Sequence, residues 1–179
     1  MRIISKIELL LIGIWIGAAC FFSFAVAPSA FAVLPSSALA GNVVNRTLTI
    51  INFSGMIIGI ILIGLSFIPR GEVKKIWVWV QRILLLILTS ACVAGQMIIG
   101  LYLEYLRKLT ETPISDLASD SPIKLRFDMW HQYSVWVLVV GMISALLAFF
   151  VISRKYSSAV KGKKDVAIPD FELPDDLKM

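Results

Sequence analysis

Residues 48 to 68 read LTIINFSGMIIGIILIGLSFI, an apolar run broken by Asn52, Ser54 and Ser66. At 1.5 Å rise per residue, about 20 such residues cross the ~30 Å hydrocarbon layer of a bilayer as a helix. Three more runs have the same character. They are 7–27, with Glu8 at its edge; 83–103, with Gln96 its most polar member; and 129–152, with His131 and Gln132 at its start. None alternates polar and apolar residues as a barrel strand does. In lipid each backbone must satisfy its own hydrogen bonds, so the four runs are predicted to be helices. The fold class expected is all-α, a four-helix transmembrane bundle occupying residues 1–156, followed by a tail, 157–179, predicted to be disordered.

Composition agrees. Of 179 residues, 58% are hydrophobic and only 16% charged, against about a quarter charged in a soluble domain. The one histidine, His131, excludes sites built from several histidines of one chain. The two cysteines, Cys20 and Cys92, both lie in apolar runs and form neither a disulfide framework nor a zinc motif. No phosphate-binding glycine loop, nucleophile elbow or zinc-protease motif is present, so no enzyme class is indicated. The net charge of +5 is not read as nucleic-acid binding, because no soluble domain exists to carry a basic face.

The basic residues are distributed unevenly. Twelve of them (Arg2, Lys6, Arg70, Lys74, Lys75, Arg82, Arg154, Lys155, Lys161, Lys163, Lys164 and Lys178) fall on the side of the two termini. Five (Arg46, Arg107, Lys108, Lys124 and Arg126) fall on the other. The bias predicts cytoplasmic termini. Trp77 and Trp79 would anchor one interface and Tyr102, Tyr105, Trp130, Tyr133 and Trp136 the other. Arg82 is expected to snorkel towards headgroups. The first run has the basic start and small-residue triplets of a signal peptide, but it is longer than an ordinary signal core and is read as a retained span.

Pro28 and Pro35 are expected to break or kink the chain after the first span. Ser36 or Ser37 would cap a helix running through Gly41 into the second. The turn 69–75 is short enough to make spans two and three antiparallel neighbours. Segment 104–128 is the longest connection, and Ser121-Pro122 reads as the start of a helix that begins before the membrane.

Helices in lipid pack through small residues. Gly13 and Gly17, Gly55 and Gly59, and Gly141 with Ala145 are placed to do so, either within one bundle or between copies. Polar residues gather near the outer ends of the spans. Asp128 and His131 are i and i+3 on one helix face, with Arg126 beside them. Arg46, Asn52, Gln96 and Glu104 fall near the same level. Together these seven form a candidate polar pocket opening outward, or alternatively an interfacial salt bridge that orients the fourth helix. Cys20, Cys92, Met97, Met129 and His131 also project to that half, and thiol, thioether and imidazole suit Cu(I). No metal-ligand spacing accompanies them, so no metal site and no cofactor are assigned.

Two blocks of residues resemble the transmembrane protein 205-like family, whose bacterial members are catalogued as a domain of unknown function. The first is Trp15-x-Gly17, Phe21-Phe22, Ala27-Pro28-x-x-Phe31 and Ala40-Gly41. The second is Arg126-Phe127-Asp128-x-x-His131-x-x-Ser134 with the Gly141 helix after it. Leu138 stands where the family pattern carries Asn. The resemblance implies a four-helix protein of the bacterial cytoplasmic membrane and no established activity. Three functions follow as expectations: an accessory or scaffold protein with a membrane-protein partner or a second copy; an oligomeric transporter or channel component using Asp128 and His131; and a metal-handling protein.

Overall fold

The structure, a computed structural model, describes residues 2–68, 75–110 and 112–165. All long elements are helical. α1 (Arg2–Phe21) passes through a single π-helical stretch, Phe22–Val26, into α2 (Ala27–Val33). α3 is Ser37–Leu65. α4 (Lys75–Val93) passes through a second π stretch, Ala94–Gly100, into α5 (Leu101–Lys108). A short 3-10 turn, Ile114–Asp116, precedes α6, Pro122–Asp165. Four continuous helical stretches are long and apolar enough to cross a membrane: Ile3–Val33, Ser37–Leu65, Lys75–Lys108 and Pro122–Arg154. Each is longer than the apolar run that announces it, because the helix carries on through polar residues at its ends.

Pro28 neither ends the first helix nor breaks it. A proline inside a helix lacks an N–H and its ring meets the carbonyl four residues back, here Phe24. The wider π turn lies at that place and absorbs the clash. The helix stops at Val33 instead. Leu34 is extended, at φ −77° and ψ 142°, as the residue before Pro35 must be. Ser36 then caps α3, its hydroxyl oxygen accepting the Leu39 N–H at 3.2 Å. At the other long connection, α5 continues to Lys108 and α6 starts at Pro122, so the loop is 109–121 rather than 104–128. The turn 69–75 lies outside the described residues except for Lys75, as does the tail from residue 166. α6 itself continues to Asp165.

The helices run up and down as neighbours. A Cβ on Gly13 of α1 would lie 3.8 Å from Phe149 of α6, and the Ser23 hydroxyl reaches the Met142 sulfur at 3.9 Å. This antiparallel register places the start of α1, the end of α3, the start of α4 and the end of the α6 span at one end of the bundle. We call it the terminal end, and the opposite end, with residues 109–121, the loop end.

The centre of the bundle is Trp15. It is buried, and its indole N–H donates to the Ile51 carbonyl at 3.0 Å, which removes the cost of an unpaired polar group in an apolar core. Ile12, Ala19, Leu62, Leu85, Leu88, Ala145 and Ala148 belong to the same buried cluster. Gly55 makes this possible. A Cβ there would lie 2.5 Å from the Cys92 sulfur and 2.6 Å from the Trp15 indole nitrogen. At Gly59 a Cβ would collide with Thr89. α3 therefore meets α1 and α4 through a glycine face. A Cβ on Gly141 would make ordinary contacts, 3.5 Å to Ala91 and 3.8 Å to Leu88 and Trp15, whereas one on Gly17 would meet no other helix within 4 Å. The outward faces, such as Ile57, Ile60, Leu86 and Phe150, are apolar and exposed, as a lipid-facing surface should be.

Candidate functional site

At the loop end the structure divides the seven predicted pocket residues into three places. Arg46 and Glu104 meet in a polar groove of about 430 Å³, lined also by Asn42, Asn45, Thr49, Arg107 and Lys108. Two helical faces build it. Asn42, Asn45, Arg46 and Thr49 follow one another at i, i+3, i+4 and i+7 on α3, and Glu104, Arg107 and Lys108 at i, i+3 and i+4 on α5. Glu104 is paired with Lys108 at 2.8 Å. Thr49 donates its hydroxyl proton to the Asn45 carbonyl at 2.9 Å, so it offers the groove only lone pairs.

Asn52 and Gln96 lie deeper. Asn52 is buried and packs against the backbone of Gly95, where a Cβ would be 3.3 Å from its amide nitrogen. Gln96 is half-buried in the same π stretch. Asn52 thus joins α3 to the irregular part of the third span, while the Gln96 amide lies along its own helix beside Gly100.

The α6 residues adjoin the groove through Arg107 without lining it. Asp128, Arg126 and His131 are exposed, and none of them lines the groove. The His131 ring stacks on Phe127, parallel within 1° and 6.2 Å between centroids. The Arg107 guanidinium lies 5.3 Å over the other ring of this stack, Phe127. Lys124, one turn before Asp128, turns to the preceding loop and donates to the carbonyls of Leu117 at 3.0 Å and Ser115 at 3.4 Å. Buried Ser134 donates to the His131 carbonyl at 2.6 Å. Tyr102 stacks obliquely on Trp130 at 4.9 Å, with Tyr105 and Trp130's neighbour Tyr133 adjoining. Four of the five expected loop-end anchors thus form one aromatic cluster.

The most deeply buried polar groups are at the terminal end, where the sequence reading placed none. Glu8, read as the edge of a span, is 0% exposed, and Gln81 is 1% exposed. The register that faces Gly13 with Phe149 brings Arg154 level with Glu8, five residues further along each helix. Arg82 does not simply snorkel. Its Nε and Nη2 donate to the Ser66 hydroxyl and carbonyl, both at 3.1 Å, and it covers the Phe67 ring at 4.0 Å. It thereby satisfies a carbonyl left open at the end of α3.

Among the described residues no group of three His, Cys, Asp or Glu side chains is placed to hold a metal ion. The soft donors are dispersed: Cys92 in the core, Cys20 half-buried, Met97 and Met129 exposed. Sequence reasoning missed Arg107, Asn42, Asn45, Glu8 and Gln81. The signal for the first three was present in the helical spacing. For Glu8 and Gln81 it was not, since each is a single polar residue at the mouth of an apolar run.

A family model described as "Domain of unknown function (DUF4149)" matches residues 10–111. The chain belongs to this family. The DUF4149 match takes in most of the first candidate span, the second and third, Trp15, the glycine face of α3 and the whole loop-end groove. It includes the first resembling block and ends before the second, Arg126 to Ser134. Neither the comparison with curated proteins nor that with solved structures gives a match.

Proposed function

We propose that this four-span protein is a small accessory or scaffold protein of the membrane, acting through a helix-sized groove rather than through chemistry of its own. The observation that supports the reading is a groove of about 520 Å³ between α4 and α6, open to the lipid-facing side. It is lined by the small residues Ser90, Ala91 and Ala94 together with Leu86, Ile87 and Trp136. It extends from Ile83 to Ala94, about 17 Å or three helical turns. Small residues let a second helix approach closely where lipid offers no hydrophobic drive for association. The occupant is a transmembrane helix of a partner protein.

A photoreactive side chain at position 94 tests this in native membranes. A discrete protein adduct is expected there, while the same probe at Ile60, on the lipid face of α3, should label lipid. Lipid adducts alone at both positions would remove the reading.

The transporter alternative, with an outward pocket at Asp128 and His131, has less support, because both side chains stand on the exposed face of α6 and outside the groove. The charge bias of twelve cations against five supports cytoplasmic termini in a bacterial inner membrane. The likeness to the transmembrane protein 205-like family fits the same picture and rests on the two quoted blocks.

A further inference from the structure

The loop end is poor in basic residues, with five of the chain's seventeen. Where basic residues are scarce, their positions carry information. Lys124 is committed to loop carbonyls and Lys108 to Glu104. Arg126 is exposed on α6. Arg46 and Arg107 both line the α3–α5 groove, together with Asn42 and Asn45. The groove's one carboxylate, Glu104, is already paired, so three cations against one carboxylate leave it net positive. Arg107 is half-buried and its guanidinium lies over Phe127 at 5.3 Å, which limits the rotamer freedom a ligand would otherwise have to remove.

The groove also has a floor in the membrane. Tyr102 and Tyr105 share α5 with Glu104 and Arg107, and Tyr102 stacks on Trp130. Such aromatic clusters mark the headgroup level. One and two turns deeper on the face of Arg46 come Ile50 and Phe53, and on the face of Glu104 come Leu101 and Met97, all four exposed and apolar. A cationic, amide-lined pocket at headgroup height thus continues directly into an apolar strip.

We infer that the groove binds one phospholipid through its headgroup phosphate, held by Arg46 and Arg107 with the Asn42 and Asn45 amides, its acyl chains lying along Ile50 and Leu101. Guanidinium pairs recognise phosphate oxygens by charge-assisted hydrogen bonds. The continuation into the apolar strip selects an intact lipid over a free anion. This inference does not depend on the α4–α6 groove.

Native mass spectrometry of the full chain in mild detergent, titrated with phosphatidylglycerol, tests it. One lipid should bind saturably. Arg46→Gln and Arg107→Gln should each weaken it roughly tenfold, the loss of one charged hydrogen-bonding group, whereas Arg126→Gln should bind as the wild type does. Arg46 is exposed, so its variant should melt at the wild-type temperature and loss of lipid cannot then be loss of fold. Equal binding by the groove variants and the wild type would overturn the inference. So would arginine-dependent binding of inorganic phosphate or glycerol 3-phosphate as tight as that of the lipid, which would make the groove a site for a free anion.

Discussion

The two ends of the bundle handle polarity in opposite ways. At the terminal end Glu8 and Gln81 are withdrawn from the surface completely, and Arg82 is spent on closing the end of α3. At the loop end the charged side chains Asp128, Arg126, Arg46 and Glu104 remain exposed, and two arginines line an open groove. A buried polar group is costly unless its partners are in place, so it ties its neighbours to one arrangement. An exposed one at an interface costs little and stays available. The terminal end is therefore expected to hold the helices together, and the loop end to meet ligands.

Substitutions can break or sharpen this contrast. The largest effect should come from between the ends. Gly55→Leu puts a side chain where Cys92 and Trp15 already stand and should cost ~3 kcal/mol or more, the upper range for overpacking. Thermal unfolding in detergent should show the loss, and Gly17→Leu, where nothing lies within 4 Å, should not. Comparable melting of the two variants would show that α3 does not meet its neighbours through Gly55. At the terminal end, Glu8→Ala should cost about 3 kcal/mol, as breaking a buried polar arrangement does. A smaller loss than that of any loop-end variant would reverse the contrast. Arg82→Gln removes both bonds to Ser66 and should cost about 1–2 kcal/mol, with the C-terminal turn of α3 gaining amide exchange before the rest of the helix. At the loop end, Asp128→Asn should change stability by less than ~0.5 kcal/mol, as exposed substitutions do. A cost like that of Glu8→Ala would place Asp128 in a buried network after all.

Much of the architecture was legible because a bilayer demands length and apolarity, and both are one-dimensional properties. The four candidate spans and the start of α6 at Pro122 were read from local chemistry alone, and the cap of α3 was narrowed to Ser36 or Ser37. Which of the two, break or kink, Pro28 imposes was not, because the local rule for proline allows both, and the π turn that lets the helix continue depends on how the helix is held. The loop-end groove was half legible. Arg46 and Glu104 were singled out, yet Arg107 was counted only as a charge, although the i, i+3, i+4 spacing on α5 puts it on the same face. Asp128 and His131 were grouped with them by level alone, and level does not say which way a helix faces.

By itself the sequence determined that the long elements are four apolar helices, candidate membrane spans, with a cation-rich and a cation-poor set of connections, since these follow from summed hydropathy and charge along the chain. Only the tertiary structure decided which apolar faces meet each other and which meet lipid. Both surroundings are equally apolar, so hydropathy cannot separate the Gly55 face from the Gly17 face. For the same reason it could not show that Glu8, a single carboxyl at the mouth of a span, lies wholly inside the bundle while Asp128, equally close to a span, lies outside.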